Sequence, residues 1–361
     1  MPASFVLFVP ISAQSWAAIR HSQHGFTTHP LASAGRYTSD MKFSRLPASL
    51  PVLAALIFCG LTPLAAQVSP PPTQPATRQA PLQVAITFDD LPAHGPLPPG
   101  EFRPEPIRSI LKTLKAEQLP PVYGFVNGFR VAEYPYQAEL LREWITSGNA
   151  LGSHTWSHPA LDKMSAKKYI ANIAENEPLL KKIDPHGDWH WFRYPYLEEG
   201  STLEKREAVR GYLLAHQYKI ADVTLDFGDY LWNDVYARCA VHHDETAIAS
   251  LHDSYLATAD EYISYSRTLS QRLYGRDIPY VLLLHVGAFD AKMLPDLIAL
   301  FRQRGFTFVT LPQAESDPAY SVDPKIAYPG GGLFIELTAS ARNINTPDAS
   351  EPEAQLNSMC R

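Results

Sequence analysis

Between residues 82 and 312 the chain alternates short runs of β-branched and aromatic residues with longer stretches in which apolar positions recur every three or four residues. The short runs, at 84–88, 122–126, 150–153, 189–194, 218–225, 280–285 and 306–310, fit strands. The segments between them, at 106–117, 136–146, 166–182, 202–217, 244–274 and 292–303, fit amphipathic helices. Regular alternation of this kind predicts an α/β fold with a parallel sheet and helices outside it. Seven strand candidates are one short of a full barrel, so the expectation is a distorted, incomplete (β/α) barrel of about seven parallel strands over residues 82–312.

The pattern stops at both ends. Beyond Leu311 come Asp317-Pro318, Pro329-Gly330-Gly331-Gly332 and many polar positions, so 313–361 reads as an irregular extension wrapped on the barrel, with a strand expected at 333–337. Upstream, Pro70-Pro71-Pro72 and Pro96-Leu97-Pro98-Pro99 exclude a persistent helix, and 67–81 reads as a proline-rich linker. Before it, Lys42 and Arg45 precede an apolar run at 50–64 that ends in Ala65-Ala66-Gln67, the layout of a secretory signal peptide at 41–66. The run is broken by Pro51 and Pro63 and is shorter than the roughly 20 residues a spanning helix needs. Residues 1–40 show no periodic pattern and read as a spurious or disordered extension ahead of that signal. The expected product is exported, periplasmic or extracellular, with no stable membrane span after cleavage.

An apolar fraction of 45% is ample for a packed core, and a formal charge of −6 with a pI near 6.1 argues against nucleic acid, which demands a basic surface. Cleavage after residue 66 removes Arg20, Arg36, Lys42 and Arg45 against only Asp40, leaving the remainder more acidic. It also leaves Cys239 and Cys360, which an oxidising compartment permits to pair, tying the tail to an expected loop after Trp232; two unrelated thiols is the alternative.

In a parallel sheet the residues just past the strand ends share one face, where sites are built. The polar residues of unusual pattern fall there. The strand Val84-Ala85-Ile86-Thr87-Phe88 runs into Asp89-Asp90, and the 150–153 strand runs into His154-Thr155-Trp156-Ser157-His158. Two histidines four apart after one strand, with a carboxylate after another, can place three N/O ligands around one divalent cation. Taken singly, adjacent aspartates are often a solvated turn and a His-x-x-x-His pair is often incidental. His94, near the first motif, is either within reach of the cleft or a solvated loop histidine. His242-His243-Asp244 fits the opening of the following helix better than a second metal site.

Five strand-end motifs in order, covering about 82 to 312, resemble the polysaccharide deacetylase family, carbohydrate esterase family four, whose fold is a distorted (β/α) barrel. Thr87-Phe88-Asp89-Asp90 is similar to the family's first motif, His154-Thr155-Trp156-Ser157-His158 to its metal motif, and Arg193-Tyr194-Pro195-Tyr196 to its Arg-x-Pro-Tyr. Asp226-Phe227-Gly228-Asp229-Tyr230 resembles Asp-x-x-Asp-Trp, and Leu283-Leu284-His285 matches its last strand. Two departures stand out: Leu91-Pro92 replaces the usual Gly-Pro, and Tyr230 replaces a tryptophan that Trp232 is a candidate to supply.

The resemblance implies one divalent metal, zinc first with cobalt or nickel as alternatives, held by Asp90, His154 and His158. It implies Asp89 as catalytic base, the backbone N–H of Tyr196 as oxyanion donor and His285 as acid. Asp229 would orient His285, and Arg193 would keep Asp89 ionised. Histidine suits the acid role because its ordinary pKa, about 6.5, lies near working pH. Pro195, Tyr230, Trp232 and Trp156 are the candidate sugar-contacting residues. The expected activity is N-deacetylation of peptidoglycan or a chitin-like polymer. The alternatives are O-acetyl ester hydrolysis on xylan or another glycan, and a non-catalytic glycan-binding protein; hydrolysis of a small cyclic amide fits the export signal poorly. No oligomeric state follows from the sequence.

Overall fold

The structure, a computed structural model, describes residues 81–361. The expected extension at 1–40, the signal peptide at 41–66 and nearly all of the linker at 67–81 lie outside the described residues. Among the described residues a seven-stranded, wholly parallel sheet curls into a distorted barrel with helices around it.

In chain order, β1 (Leu82–Leu91) leads to α1 (Pro104–Ala116), β2 (Tyr123–Val126), α2 (Gly128–Glu133), α3 (Gln137–Thr146) and β3 (Ala150–Ser153). Then come α4 (Ala166–Ile183), β4 (Trp191–Phe192), α5 (Leu203–Ala215), β5 (Lys219–Ile220), α6 (Tyr230–Val241) and α7 (Glu245–Tyr274). The chain closes with β6 (Tyr280–His285), α8 (Ala288–Gln303), β7 (Phe306–Phe308), α9 (Leu311–Ala314), α10 (Phe334–Ala341) and α11 (Glu353–Ser358). The strand order is β5-β4-β3-β2-β1-β6, with β7 pairing the start of β1. Beyond β5 the chain crosses to the far edge, where Leu225 bridges Leu282 of β6.

β1 is the spine of the sheet because Val84 through Leu91 are all buried and the strand pairs with β2, β6 and β7. The pairing register then aligns the chemistry. Asp89 on β1 is the Cα partner of His285 on β6, and Ser153 on β3 is the partner of Phe192 on β4, so the residues that follow, His154 and Arg193, emerge from the same edge. Parallel strands send their C-terminal ends one way, and this rim carries every strand-end motif.

Three expectations need correction. The 189–194 run pairs only at Trp191–Phe192, and 218–225 only at Lys219–Ile220 plus the Leu225 bridge, because the chain bends away to reach β6. The strand expected at 333–337 is the start of helix α10. Its apolar run is too short for periodicity to separate strand from helix, and Leu333 N–H donates to Glu336 Oε2 at 2.9 Å, which starts a helix. The extension is otherwise irregular and packed on the barrel, as expected: Arg206, buried under it, pairs with its Asp323. Finally, Cys239 lies in helix α6 rather than in a loop. The His242-His243-Asp244 segment does open a helix, with Asp244 Oδ1 accepting from Ala247 N–H at 2.9 Å to cap α7.

Cys239 and Cys360 are joined by a disulfide with their Cα atoms 5.1 Å apart, closing a separation of 121 residues. A loop of this length restricts the unfolded chain by about 4–5 kcal/mol in the chain-entropy model. Replacing Cys360 by Ser should therefore lower the unfolding free energy in denaturant titrations by a few kcal/mol, and reducing agent should destabilise the parent chain alike. Equal midpoints for oxidised, reduced and variant protein would show that the tail is held by packing alone.

Candidate active site

At the rim, Asp90, His154 and His158 bring one ligand atom each to within 4.8 Å of one another. His158 Nε2 lies 3.5 Å and His154 Nε2 3.8 Å from Asp90 Oδ1. Local backbone geometry makes this possible. Asp90, Thr155 and His158 all have positive φ, at 63°, 64° and 54°, a region that non-glycine residues occupy rarely and at some cost. The turn between the histidines is fastened by Thr155 Oγ1, which accepts the His158 N–H at 3.1 Å.

The donor set fits a divalent cation. Asp90 Oδ1 is buried with no hydrogen-bond partner among the described residues, while Oδ2 accepts from His94 Nδ1–H at 2.6 Å. His154 Nδ1–H donates to the Arg193 carbonyl at 2.8 Å, which leaves the Nε2 lone pair directed at the site, the usual arrangement for a ligating imidazole. Burial pushes the His154 pKa down to about 4 and that of His158 to about 3, so both rings are neutral at pH 7 and free to coordinate. Burial alone would raise the Asp90 carboxyl. His158 and the hydrogen bond from His94 outweigh it and hold that group well below the usual carboxylate range.

Asp89 sits beside this group, 3.7 Å from His154 Nε2 through Oδ2. Its Oδ1 accepts from Arg193 Nη1 at 3.2 Å. Arg193 is itself 1% exposed, with Nη2 to Thr87 Oγ1 at 3.2 Å, Nε to the Ala221 carbonyl at 2.7 Å and its plane 4.6 Å from the Phe125 ring centroid. The balance at Asp89 still runs upward, because desolvation exceeds the attraction of Arg193. Arg193 limits that rise rather than reversing it.

Across the rim, Asp229 grips His285 twice: Oδ1 accepts from Nδ1–H at 2.8 Å and Oδ2 from the backbone N–H at 2.6 Å. Burial opposes a charged imidazole, yet the Asp229 carboxylate outweighs it and pushes the His285 pKa up to about 10. Behind this pair, Asp290 accepts from Tyr255 OH at 3.1 Å and Asn233 Nδ2 at 3.1 Å, and its carboxyl is held well above the ordinary range, chiefly by burial and then by the neighbouring Asp229 charge. Asn233 lies so close over Gly287 that any Cβ there would fall 1.5 Å from its amide nitrogen.

Tyr196 and Leu197, with φ of 59° and 55°, form a tight turn after β4, and the Tyr196 ring packs edge-on against His158 at 4.6 Å. Gly331 of the C-terminal extension rests on that turn; a Cβ on it would stand 2.1 Å from the Tyr196 carbonyl oxygen.

The sugar-contact candidates divide. Tyr230 is half-buried with its ring 5.3 Å from His285, at the rim. Trp232 is completely buried, donates its Nε1–H to Ser254 Oγ at 2.9 Å and packs against Phe227 and Tyr255, so it offers no surface to a sugar. The expectation for Trp232 fails because helix α6 starts at Tyr230 and turns the residue two positions later into the core. Pro195 is buried as well and shapes the turn rather than a groove wall. Trp156 is half-buried with its ring over Gly128, where a Cβ would meet it at 2.4 Å.

Sequence patterns missed Asn127 and Asn176. Asn127 donates to the His154 carbonyl, and Asn176 Nδ2 donates to the Val126 carbonyl at 2.8 Å and Ser153 Oγ at 3.2 Å, bracing the histidine loop. Buried asparagine in an otherwise apolar helix face was the available signal for Asn176. Nothing in the sequence singled out Asp290 as the support behind Asp229.

Residues 77–214 match the family model described as polysaccharide deacetylase. Over that stretch the chain carries a polysaccharide deacetylase domain. Among its relatives, the peptidoglycan-N-acetylmuramic acid deacetylase of Bacillus subtilis is 35% identical over 100 residues, which span 28% of this chain and only 18% of that protein. The chitin deacetylase of Colletotrichum lindemuthianum is 29% identical over 192 residues, 53% of this chain and 70% of that one. A solved structure of the Colletotrichum chitin deacetylase superposes with a TM-score of 0.46 at 23% identity, covering 71% of this chain and 95% of that chain.

If Asp229 sets the charge of His285, an NMR titration of the metal-free protein should find the imidazole protonated until the pH approaches about 10. In Asp229→Asn the ring should lose its proton near or below the ordinary histidine value, because burial remains while the carboxylate is gone. An unchanged titration would mean that other groups carry the effect.

Proposed function

We propose that this chain is an exported, metal-dependent hydrolase that removes acetyl groups from an N-acetylated polysaccharide, peptidoglycan or a chitin-like polymer, with zinc as its cation. One observation carries the proposal: three ligand atoms converge within 4.8 Å beside a carboxylate, Asp89, whose register partner on the next strand is His285. The names of the relatives, peptidoglycan and chitin deacetylases, support the substrate class.

Asp90 Oδ1, His154 Nε2 and His158 Nε2 would hold the cation. Bound there, it supplies a Lewis acid that polarises the acetyl carbonyl and lowers the pKa of water. Asp89, with one oxygen occupied by Arg193 and the other facing the site, takes a proton from water as its oxygen bonds to the carbonyl carbon. The upward shift of Asp89 makes it a stronger base than an exposed carboxylate. The negative charge that develops on the carbonyl oxygen meets the backbone N–H of Tyr196, fixed by its tight turn. His285, kept cationic by Asp229, donates its Nε2 proton to the amide nitrogen as the C–N bond breaks, leaving acetate and a free amine. Tyr230, half-buried beside His285, and Trp156, half-buried in the histidine loop, are the candidate sugar contacts that remain.

Acetate release from peptidoglycan, N-acetylglucosamine oligomers and acetylated xylan, measured with and without chelator, tests this directly. The N-acetylated substrates should release acetate, chelator should abolish it and added zinc restore it. Asp89→Asn and His285→Ala should each lose roughly 100-fold or more in turnover while keeping zinc, whereas His154→Ala should lose zinc itself. Release from xylan alone would make the chain an ester hydrolase, and glycan binding without any release in zinc-loaded protein would make it a binding protein.

The Tyr196 turn has its own test. A methyl at Gly331 must displace the backbone it rests on, so Gly331→Ala should cut turnover by up to about 100-fold with zinc content unchanged, as expected when a transition-state donor shifts by about 1 Å. Full activity in that variant would remove Tyr196 from the mechanism.

A further inference from the structure

His94 belongs to none of the five strand-end motifs, yet it is tied into the centre twice. Its backbone N–H donates to the Val286 carbonyl at 2.9 Å, which fastens the loop after β1 to the end of β6. Its ring donates through Nδ1–H to Asp90 Oδ2 at 2.6 Å. The Arg130 guanidinium approaches that same oxygen at 3.8 Å. The Asp90 carboxylate is thus divided: Oδ2 faces two donors from the protein, while Oδ1 faces only the two ligand imidazoles and has no hydrogen-bond partner among the described residues.

We propose that His94 is a positioning residue for the cation site, fixing Asp90 by its second oxygen so that Oδ1 alone is presented to the ion. This rests on Asp90, His154 and His158 being the ligands. A carboxylate on a single side-chain stem can rotate, and in rotating exchange one-oxygen for two-oxygen coordination. A hydrogen bond on one oxygen removes that freedom and fixes the angle at which the other meets the ion, as hydrogen-bonded partners of metal ligands generally do. Left-handed backbone at Asp90 directs the carboxylate into the site but does not fix this last torsion. His94 does, from a backbone that is itself anchored to β6. The geometry offers one rival arrangement, because Asp90, His94 and His285 also form a group whose ligand atoms lie within 4.8 Å of one another. His94 would then be a ligand, and its replacement by a mere hydrogen-bond donor would not serve. Asp229 takes the His285 Nδ1–H, and in the proposed function the remaining ring nitrogen, Nε2, delivers a proton to the leaving amine rather than binding the ion, which favours the positioning role.

The test measures zinc affinity of the full chain by competition with a chromophoric chelator, alongside the visible spectrum of the cobalt-loaded protein and the thermal midpoint of the metal-free form. His94→Ala should bind zinc roughly 10- to 100-fold more weakly. His94→Asn should recover affinity to within about threefold, because its amide Nδ2 falls where the imidazole Nδ1 stood and donates the same hydrogen bond. The cobalt spectrum of His94→Asn should match the parent, since the ligands are unchanged. Wild-type affinity in His94→Ala overturns the inference, and failure of His94→Asn to recover, with an altered cobalt spectrum, replaces it with direct ligation. Should His94→Ala not fold, as its metal-free thermal midpoint would reveal, the comparison of His94→Asn with the parent still decides. A parent chain that binds no zinc would instead sink the cation site itself, a failure distinguishable from the first.

Discussion

The buried guanidinium of Arg193 is the constraint on which the rest of the centre depends. A cation this far from water costs several kcal/mol unless its donors and charge are met, and here they are met by groups from different strands. Thr87 and Asp89 come from β1, Ala221 follows β5, and the Phe125 ring of β2 covers its face. The main chain of the same residue takes the His154 Nδ1–H on its carbonyl and gives its own N–H to Ser153. One residue therefore fixes the carboxylate proposed as base, the tautomer of a proposed ligand and the spacing of the strands that carry them. Removing the charge would leave Asp89 desolvated and unpaired, so the barrel rim and the chemistry stand or fall together.

Around this fixed point the chain accepts strain. Asp90, Thr155, His158, Tyr196 and Leu197 all hold positive φ, and all lie at the rim. Such conformations persist only where the surroundings over-determine them, and the surroundings are visible: Thr155 Oγ1 on the His158 N–H, Asn127 on the His154 carbonyl, Gly331 against Tyr196. These five positions are physically consistent with a site whose ligand directions matter more than its local stability.

The strand ends were legible because two periodicities alternate cleanly and the polar residues interrupt them at fixed places. Five strands, β1, β2, β3, β6 and β7, begin and end within two or three residues of expectation, and Asp89, Asp90, His154, His158, Arg193, Asp229 and His285 converge on one rim. What was hidden depended on contacts between distant segments. Trp232 sits two residues from a rim position, and only the start of helix α6 decides that it faces inward. His94 is indistinguishable from a solvated loop histidine until its backbone is seen bonded to Val286, almost two hundred positions downstream. The helix at 334–341 was misjudged because three consecutive apolar residues carry no period.

The C-terminal extension is best understood as part of the site rather than as an appendage. Its Gly331 supports the Tyr196 turn, its Asp323 pairs with buried Arg206 on α5, and its last cysteine is bonded into α6, the helix that begins beside Asp229. An incomplete barrel leaves the segment between β4 and β6 with little pairing of its own, since β4 and β5 contribute two residues each. Short strands cannot hold a left-handed turn such as Tyr196-Leu197 against the pull of ordinary backbone preference. Fastened at the α5 and α6 sides and pressed on the turn in the middle, the extension supplies the rigidity that the missing sheet would have given. That division of labour explains why the most irregular part of the sequence lies against the most demanding backbone in the molecule.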